Sequence, residues 1–257
     1  MEYTLITGAS SGIGYELSKL FASEGKNLFL IARNNENLLK VRDKLKGLKD
    51  IEIYVLAADL SKKDSVENIL NFVEKNNIVV DNIINNAGIG DFGEFVNSDE
   101  VRQYEMIQIN IIALTKLTRS FLPKMICRGK GGVLNVASTA AFAPGPNMSV
   151  YYATKAYVLS FTEALYEECS GKGVRIMALC PGAVDTGFQK KAGIKKSRLA
   201  GGNIMSSEEA ALKGYNGFTK TDKAVVIPGF KNKLLIQMMR ILPRFVIRKI
   251  IGKVNMR

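Results

Sequence analysis

Short apolar runs alternate along the chain with stretches where apolar residues recur at helical spacing. The runs are Thr4–Thr7, Asn27–Ala32, Ile51–Ala57, Asn82–Asn85, Val133–Ala137, Val174–Leu179 and Ala224–Ile227. Several are apolar throughout rather than alternating, which suits strands of a parallel sheet covered on both faces. Between the first two, Ile13, Leu17, Leu20 and Phe21 fall at i, i+4, i+7 and i+8, one face of a helix. Strand, helix and strand repeated in this way predict an α/β fold with a doubly wound parallel sheet and right-handed crossovers. No linker or internal repeat divides the chain. Lys190–Gly202, rich in Gly and Lys, reads as a loop over the body.

The pattern changes after residue 230. Leu234, Leu235, Met238, Met239, Ile241 and Leu242 form an apolar stripe at roughly helical spacing. Pro243 ends that helix and opens a second, since proline fits a first turn. The second segment carries Phe245, Val246, Ile247, Ile250 and Ile251 among Arg244, Arg248, Lys249 and Lys253. The expected organisation is one domain over residues 1–230 and a basic, helical extension over 231–257. The extension either packs over the body or a neighbouring copy, or lies on anionic lipid with its apolar face down.

Composition narrows the chemistry. At 257 residues and 47% hydrophobic, the chain can bury a sizeable core. It has no histidine, which excludes Ser-His-Asp triads, His-bound zinc and imidazole acid/base chemistry. Proton transfer is left to Tyr, Lys, Asp, Glu, Cys or water. The three cysteines form no CxxC pair, so neither a metal site nor a disulfide framework is expected. They read as free thiols of a cytoplasmic protein. No leader-like segment precedes the first strand, and no run of about 18 apolar residues suggests a membrane span. The net charge is +12, and nine of the Lys and Arg lie between Lys223 and Arg257 without a single acid. These cations sit among Leu, Ile, Met and Phe rather than in a recognisable nucleic-acid module, so no nucleic-acid partner is expected.

Two constellations carry chemistry. After the first run comes Thr7-Gly8-Ala9-Ser10-Ser11-Gly12-Ile13-Gly14, opening the first helix. Glycines there permit a tight turn and let backbone N–H groups at the helix start meet a pyrophosphate. The spacing is Gly-x3-Gly-x-Gly rather than G-x-G-x-x-G, and an ordinary strand-helix turn is the alternative. The second run ends Ile31-Ala32-Arg33-Asn34, with no acid to take a ribose 2′-hydroxyl. Arg33 stands where that acid is expected and suits a 2′-phosphate, or else is a solvated surface arginine. Further on, Tyr151 and Lys155 are four apart and share a helix face, and Ser138 stands 13 residues before the tyrosine. An ammonium near the phenol is expected to lower its pKa toward working pH. Tyr152, three residues from the lysine, is a rival for the same role.

These pieces resemble the classical short-chain dehydrogenase/reductases, with a Rossmann-type single domain, over residues 3 to about 188. The matching motifs are TGASSGIG at Thr7–Gly14, Asp59-Leu60, the NNAG of Asn85–Gly88, Asn110, Ser138, Tyr151-x3-Lys155, and Pro181-Gly182 with Thr186. The resemblance implies that Tyr151 is the acid/base, that Ser138 orients the substrate oxygen, and that Lys155 binds the nicotinamide ribose. It further implies that Asn110 holds a proton-relaying water and that Asp59 and Leu60 adjoin the adenine. Asn86, Ala87 and Gly88 would line the ribose side, while Pro181, Val184 and Thr186 would meet the nicotinamide. Gly8, Ser10, Ser11, Gly12, Ile13 and Gly14 would hold the phosphates of NADP (NADPH). Asn86 also reads as a structural asparagine satisfying backbone groups. The Pro228-Gly229 and basic tail resemble the ketoacyl-reductase-like and hydroxysteroid-dehydrogenase-like branch.

The expected function is therefore NADP-dependent hydride transfer to a carbonyl or from an alcohol, on a small, apolar or acyl-linked substrate. Phe142–Ser149 and Phe188–Met205 are the expected specificity segments. A homodimer through the helices holding Asn110 and Tyr151 is the expected assembly. Two other classes compete: a nucleotide-binding redox sensor or scaffold without turnover, and a cytoplasmic protein peripheral to the membrane that acts through its basic tail.

Overall fold

The computed structural model describes residues 1–194 and 204–256. Seven parallel strands form the main sheet. In chain order they are β1 (Glu2–Thr7), β2 (Asn27–Ala32), β3 (Ile53–Ala57), β4 (Val79–Asn85), β5 (Gly131–Val136), β6 (Val174–Leu179) and, late in the chain, β9 (Val225–Val226). Their spatial order is β3-β2-β1-β4-β5-β6-β9. A two-stranded parallel pair, β7 (Val184–Asp185) with β8 (Met205–Ser206), lies beyond β6. The expected runs are all present, with shifted ends. The third starts at Ile53 rather than Ile51, and the fourth reaches back to Val79. The last is cut to two residues, because Pro228 and Gly229, at φ +87, turn the chain into a helix.

Helices α1 (Gly12–Ser23), α2 (Asn35–Lys46), α3 (Ser65–Lys75), α4 (Glu100–Ile107), α5 (Leu114–Arg128), α6 (Ser149–Glu168), the short α7 (Phe188–Lys191) and α8 (Ser207–Lys220) make the crossovers. Of three apolar cores between helices and sheet, the two larger hold most of the helices. One joins α1, α2 and α8 to the sheet through Leu17, Phe21, Leu38 and Phe218. The other joins α3, α4 and α5 through Ile69, Met106, Leu117 and Phe121. The inner strands β1, β2, β4, β5 and β6 are buried on both faces, as their uninterrupted apolar runs require, while the edge strands β3 and β9 are partly exposed. Because β2 and β3 lie on one side of β1 and β4 on the other, the chain reverses direction between β1 and β4. That switch point opens a crevice at the carboxyl ends of the strands.

A buried polar chain pins the middle of the sheet to the helices over it. Asn85 and Asn135 are cross-strand neighbours on β4 and β5. Asn85 Nδ2 donates to Asn135 Oδ1 at 2.9 Å and to Thr118 Oγ1 of α5 at 3.1 Å. Asn135 Nδ2 donates to Thr162 Oγ1 of α6 at 2.9 Å.

The extension folds as a helix pair about Pro243, α9 (Phe230–Ile241) and α10 (Arg244–Met256). It lies against the body. Asn232 of α9 packs on Gly182, where an added Cβ would stand 2.7 Å from its Nδ2. Asn255 of α10 donates to the Pro146 carbonyl at 2.8 Å. The inward side differs from the expected stripe. Ile236, Ile247 and Ile251 are buried, while Leu234, Leu235, Met238 and Ile241 face solvent. Asn232 and Asn255 set the helix rotation, and hydropathy spacing does not register such anchors. Of the loop expected at Lys190–Gly202, Lys190 and Lys191 belong to α7, and 195–202 lie outside the described residues.

Replacing Asn135 by Leu removes the acceptor of Asn85 and the donor to Thr162 together. The expected cost is ~1–3 kcal/mol, read as a fall in Tm of roughly 2–10 °C. An unchanged Tm would show that the chain of amides does not hold the sheet to α6.

Candidate active site

The crevice at the switch point is a cleft of about 730 Å³, within the range of ligand pockets. One end is built by the turn between β1 and α1. Gly8 and Gly12 adopt left-handed backbone, at φ +65 and +57, which glycine reaches without strain. The turn is held from the β4 side. Asn86 Nδ2 donates to the Thr7 and Gly8 carbonyls at 2.9 and 3.3 Å. The N–H groups of Asn86 and Ala87 both donate to Thr7 Oγ1. The structural reading of Asn86 is thus realised, and the residue lines the cleft as well. Gly14 stands behind the wall, where a Cβ would lie 2.4 Å from both Asn86 Nδ2 and the Gly8 oxygen. No side chain caps the start of α1 at Ser11, so its first N–H groups remain open to an anion. Gly8, Ser10, Ser11, Gly12 and Ile13 all face the cleft.

Further along the same wall come Arg33 at the end of β2 and Asp59 and Leu60 after β3. Asn34 caps α2 by accepting from the Asn37 N–H at 2.8 Å. Glu36, the first acid after β2, pairs with Lys40 at 2.6 Å on the outer surface of α2 and does not line the cleft.

The other end holds Ser138, Tyr151 and Lys155. Ser138 follows β5 and accepts from the Ala140 N–H at 3.1 Å, capping a single helical turn at Thr139–Phe142. Its hydroxyl shares a hydrogen bond with the Tyr151 phenol. Lys155, one turn on from Tyr151 in α6, is 5% exposed. Its ammonium donates to the Val136 carbonyl at 2.8 Å and sits 5.9 Å from the centre of the Tyr151 ring. Pro181, Val184 and Thr186 close this side, and Gly88 faces them. A side chain on Gly88 would press on Asn110 Oδ1 at 3.2 Å and Lys155 Nζ at 3.4 Å.

Asn110 lies outside the cleft lining, in a π-helical stretch, Gln108–Ala113, between α4 and α5. Its Oδ1 accepts from the Ile89 N–H at 3.0 Å, and its Nδ2 donates to the Ile89 carbonyl at 2.9 Å and to Thr154 Oγ1 at 3.0 Å. Thr154 in turn donates to the Tyr151 carbonyl at 2.8 Å. The wide turn brings one amide to both the β4 exit and α6, and periodicity gives no sign of it.

Electrostatics depart from the expectation that Lys155 lowers the Tyr151 pKa. Burial pushes the phenol up to about 12, against a smaller lowering by the Ser138 hydrogen bond and a rise from Tyr152. Burial also drives the Lys155 pKa down to about 8, so its own charge is disfavoured. Its ammonium is turned to the Val136 carbonyl rather than to the phenol oxygen. Cys180, packed below, is held up at about 12 by burial, with Lys155 and the Ser138 backbone opposing.

Residues 2–197 match the family model described as short chain dehydrogenase. The chain belongs to the short-chain dehydrogenase family. It is thereby an NAD(P)-dependent dehydrogenase or reductase. A short chain dehydrogenase of Pseudocercospora fijiensis is 38% identical over 71% of this chain and 59% of its own length. The very-long-chain 3-oxoacyl-CoA reductase of Rattus norvegicus is 30% identical over 99% of this chain and 80% of its own. Among solved structures, the short-chain dehydrogenase of Sphingobium yanoikuyae in complex with NADPH superposes with a TM-score of 0.83 at 29% identity. That match covers 95% of this chain and 97% of the other.

In this short-chain dehydrogenase the end of the cleft around Tyr151 is also lined by residues outside the family motifs. Tyr152, the expected rival of Tyr151, engages other partners. Its ring fills the space over Gly145 and its phenol bonds to Asn255. Phe188 stacks obliquely on Tyr151 at 5.4 Å and presses on Gly90. Val254 and Asn255 bring α10 into the lining, and Arg102 reaches it from α4, donating to the Gly90 carbonyl at 3.3 Å. Phe188 lies in a segment expected to set specificity, whereas only the docking of distant segments brings Arg102, Val254 and Asn255 to the cleft.

The buried lysine has a measurable signature. Its folded pKa is about 8 against ~10.4 unfolded. The unfolded chain therefore binds more protons between these values, and stability from this group rises with pH across that window. Tyr151 acts in the opposite sense above pH ~10, because its folded pKa is raised. In Lys155→Met the pH 8–10 rise in Tm is expected to vanish. The stability gap to wild type would change by up to about 3 kcal/mol across the window. Parallel Tm–pH curves for the two proteins would show that Lys155 stays charged when folded.

Proposed function

We propose that the chain is an NADP-dependent oxidoreductase interconverting a carbonyl and an alcohol, with Tyr151 as general acid/base. One observation carries this reading. A phenol hydrogen-bonded to Ser138 stands next to a buried lysine in the same cleft whose far end is a glycine turn with open helix N–H groups.

The residues fit the cofactor. Left-handed Gly8 and Gly12 would let backbone N–H groups hold a pyrophosphate, Asp59 and Leu60 would flank the adenine, and Arg33 would take a 2′-phosphate. Glu36, the first acid after β2, does not compete with Arg33 for that place, since it faces outward with Lys40. Asn86, Ala87 and Gly88 would line its ribose side, and Pro181, Val184 and Thr186 would adjoin its nicotinamide. When bound, NADPH supplies the hydride. The protein handles the proton. Ser138 holds the substrate oxygen by hydrogen bond, and Tyr151 gives its proton to that oxygen, or takes one in the reverse direction. A phenol held at about 12 is fully protonated at neutral pH and serves as the acid in reduction. With a bound ribose, Lys155 would gain hydroxyl acceptors, which would favour its charged form and ease the phenolate at Tyr151. Asn110 acts as a positioning residue, tying the Ile89 backbone to Thr154 and so to the Tyr151 turn.

The substrate is proposed to be a ketone on an apolar or acyl-linked body. Phe92, Met148, Phe188, Ile194 and Val254 offer apolar surface beside Tyr151. A relative named as a 3-oxoacyl-CoA reductase fits the same class. A homodimer through α5 and α6 is the proposed assembly. The two helices meet at the surface, where Thr115 and Tyr157 share a hydrogen bond at 2.9 Å beside exposed Ile112.

Steady-state oxidation of NADPH with apolar ketones and 3-oxoacyl thioesters tests the activity. Tyr151→Phe is expected to keep NADPH binding and lower kcat by ~10²–10⁴. If Tyr152→Phe is the crippling change, the assignment fails. Arg33→Ala is expected to weaken NADPH binding by roughly one to two decades while sparing NADH. Equal losses by calorimetry would remove Arg33 from the 2′-phosphate.

A further inference from the structure

Among the described residues, helix α9 presents an apolar face with nothing packed over it. Phe230, Leu234, Met238 and Ile241 are 81, 53, 52 and 85% exposed. Their spacing, i, i+4, i+8 and i+11, puts them on one line along the helix. Ile236, on the opposite side, is fully buried, and Asn232 is fastened there by donating to the Pro228 carbonyl at 2.8 Å. The rotation of α9 is thus fixed, and the outward line is a built feature. Helix α10 continues the surface with exposed Phe245, Ile250 and Val254. A run of large apolar side chains this exposed marks an interaction site.

The charge around the line selects the partner. Lys231, Lys233, Arg240, Arg244, Arg248, Lys249 and Lys253 are all exposed on the same two helices. The sequence holds no acid from Lys223 to Arg257. A second copy seated symmetrically would set these cations against their own kind, which disfavours self-pairing. An anionic lipid surface meets both halves of the pattern. The apolar line enters the headgroup boundary, and the cations, on long stems, reach the phosphates beside it. Among the described residues no helix is long and apolar enough to cross a membrane. We infer that α9 and α10 form a docking face for the surface of an anionic bilayer. The face adjoins the cleft, because Val254 belongs to both. An apolar substrate dissolved in the bilayer then has a short path to Tyr151. Lipid docking itself rests on the helix pair and not on the hydride-transfer reading.

Co-sedimentation of the full chain with phosphatidylcholine vesicles, with and without a quarter of phosphatidylserine, tests the face. Binding is expected only with phosphatidylserine at low ionic strength, with release in high salt. Leu234→Glu with Ile241→Glu alters two outward side chains. It is expected to cut the bound fraction at least tenfold while leaving Tm unchanged. If that pair fails to fold, Lys231→Gln with Arg240→Gln reads the same face, and each lost cation should cost roughly fivefold in partitioning. No binding at low salt, or binding that ignores these changes, overturns the inference. So does lipid-free velocity sedimentation in which wild type is a dimer and the Leu234/Ile241 variant a monomer, since a second copy would then be the occupant.

Discussion

The site depends on holding an amine inside the protein. Lys155 has given up almost all of its hydration, and its pKa falls to about 8 as a result. A buried cation of this kind survives only where an acceptor is fixed within reach. That acceptor is the Val136 carbonyl, the last of β5, at 2.8 Å. The position of α6 over the strand ends is therefore not free. Thr162 ties α6 to Asn135 in the sheet, and Thr154 ties it to Asn110 and the β4 exit. Tyr151 inherits its place from these bonds, because its own carbonyl accepts from Thr154. Gly88 completes the fit by having no side chain where Asn110 and Lys155 crowd the backbone.

The fold supplies two halves that this arrangement joins. Strands β1 to β3 and their helices make a turn whose N–H groups attract an anion, and strands β4 to β6 make the acid/base corner. Each half is local in sequence, but the cleft exists only because β1 and β4 are neighbours. Asn86 is the clasp between them. From the end of β4 it closes the Thr7–Gly8 turn with side-chain donors, and this explains why Gly14, pressed against the same amide, tolerates no Cβ.

Residues whose role is written in local spacing were legible from sequence. Uninterrupted apolar runs gave the parallel sheet, and glycines after the first run gave the turn. Tyr151, Lys155 and Ser138 came together at one end of the cleft as their spacing suggested. What escaped depends on contacts between distant segments. The extra-wide turn at Asn110, the Phe188 ring over Gly90 and the Asn255 bond to Tyr152 leave no periodic trace. The Tyr151 pKa was misjudged for a related reason. Spacing reports that a lysine is near, but not that burial weakens its charge and aims it at a carbonyl. The tail shows the same boundary. Its helices and their break at Pro243 were readable, yet the rotation of α9 was set by Asn232 and Ile236, so the apolar stripe faced outward.

That outward stripe bears on how the enzyme is built as a whole. Apolar residues left in water on a small helix pair gain nothing for folding, and they invite association with any other apolar surface. The local concentration of cations opposes association between like copies while leaving attraction to anionic surfaces intact. Substitutions that remove only the charge would leave a face prone to self-association. Those that remove only the apolar line would leave weak, salt-screened adhesion. The pairing of both on α9 and α10 is therefore more specific than either alone. Its inward side is equally committed, since Asn255 holds Pro146 and Tyr152 at the mouth of the cleft. One short element thus shapes the entrance on its inner side and offers the apolar, cationic face on its outer side, so events at the surface are mechanically next to the substrate's path.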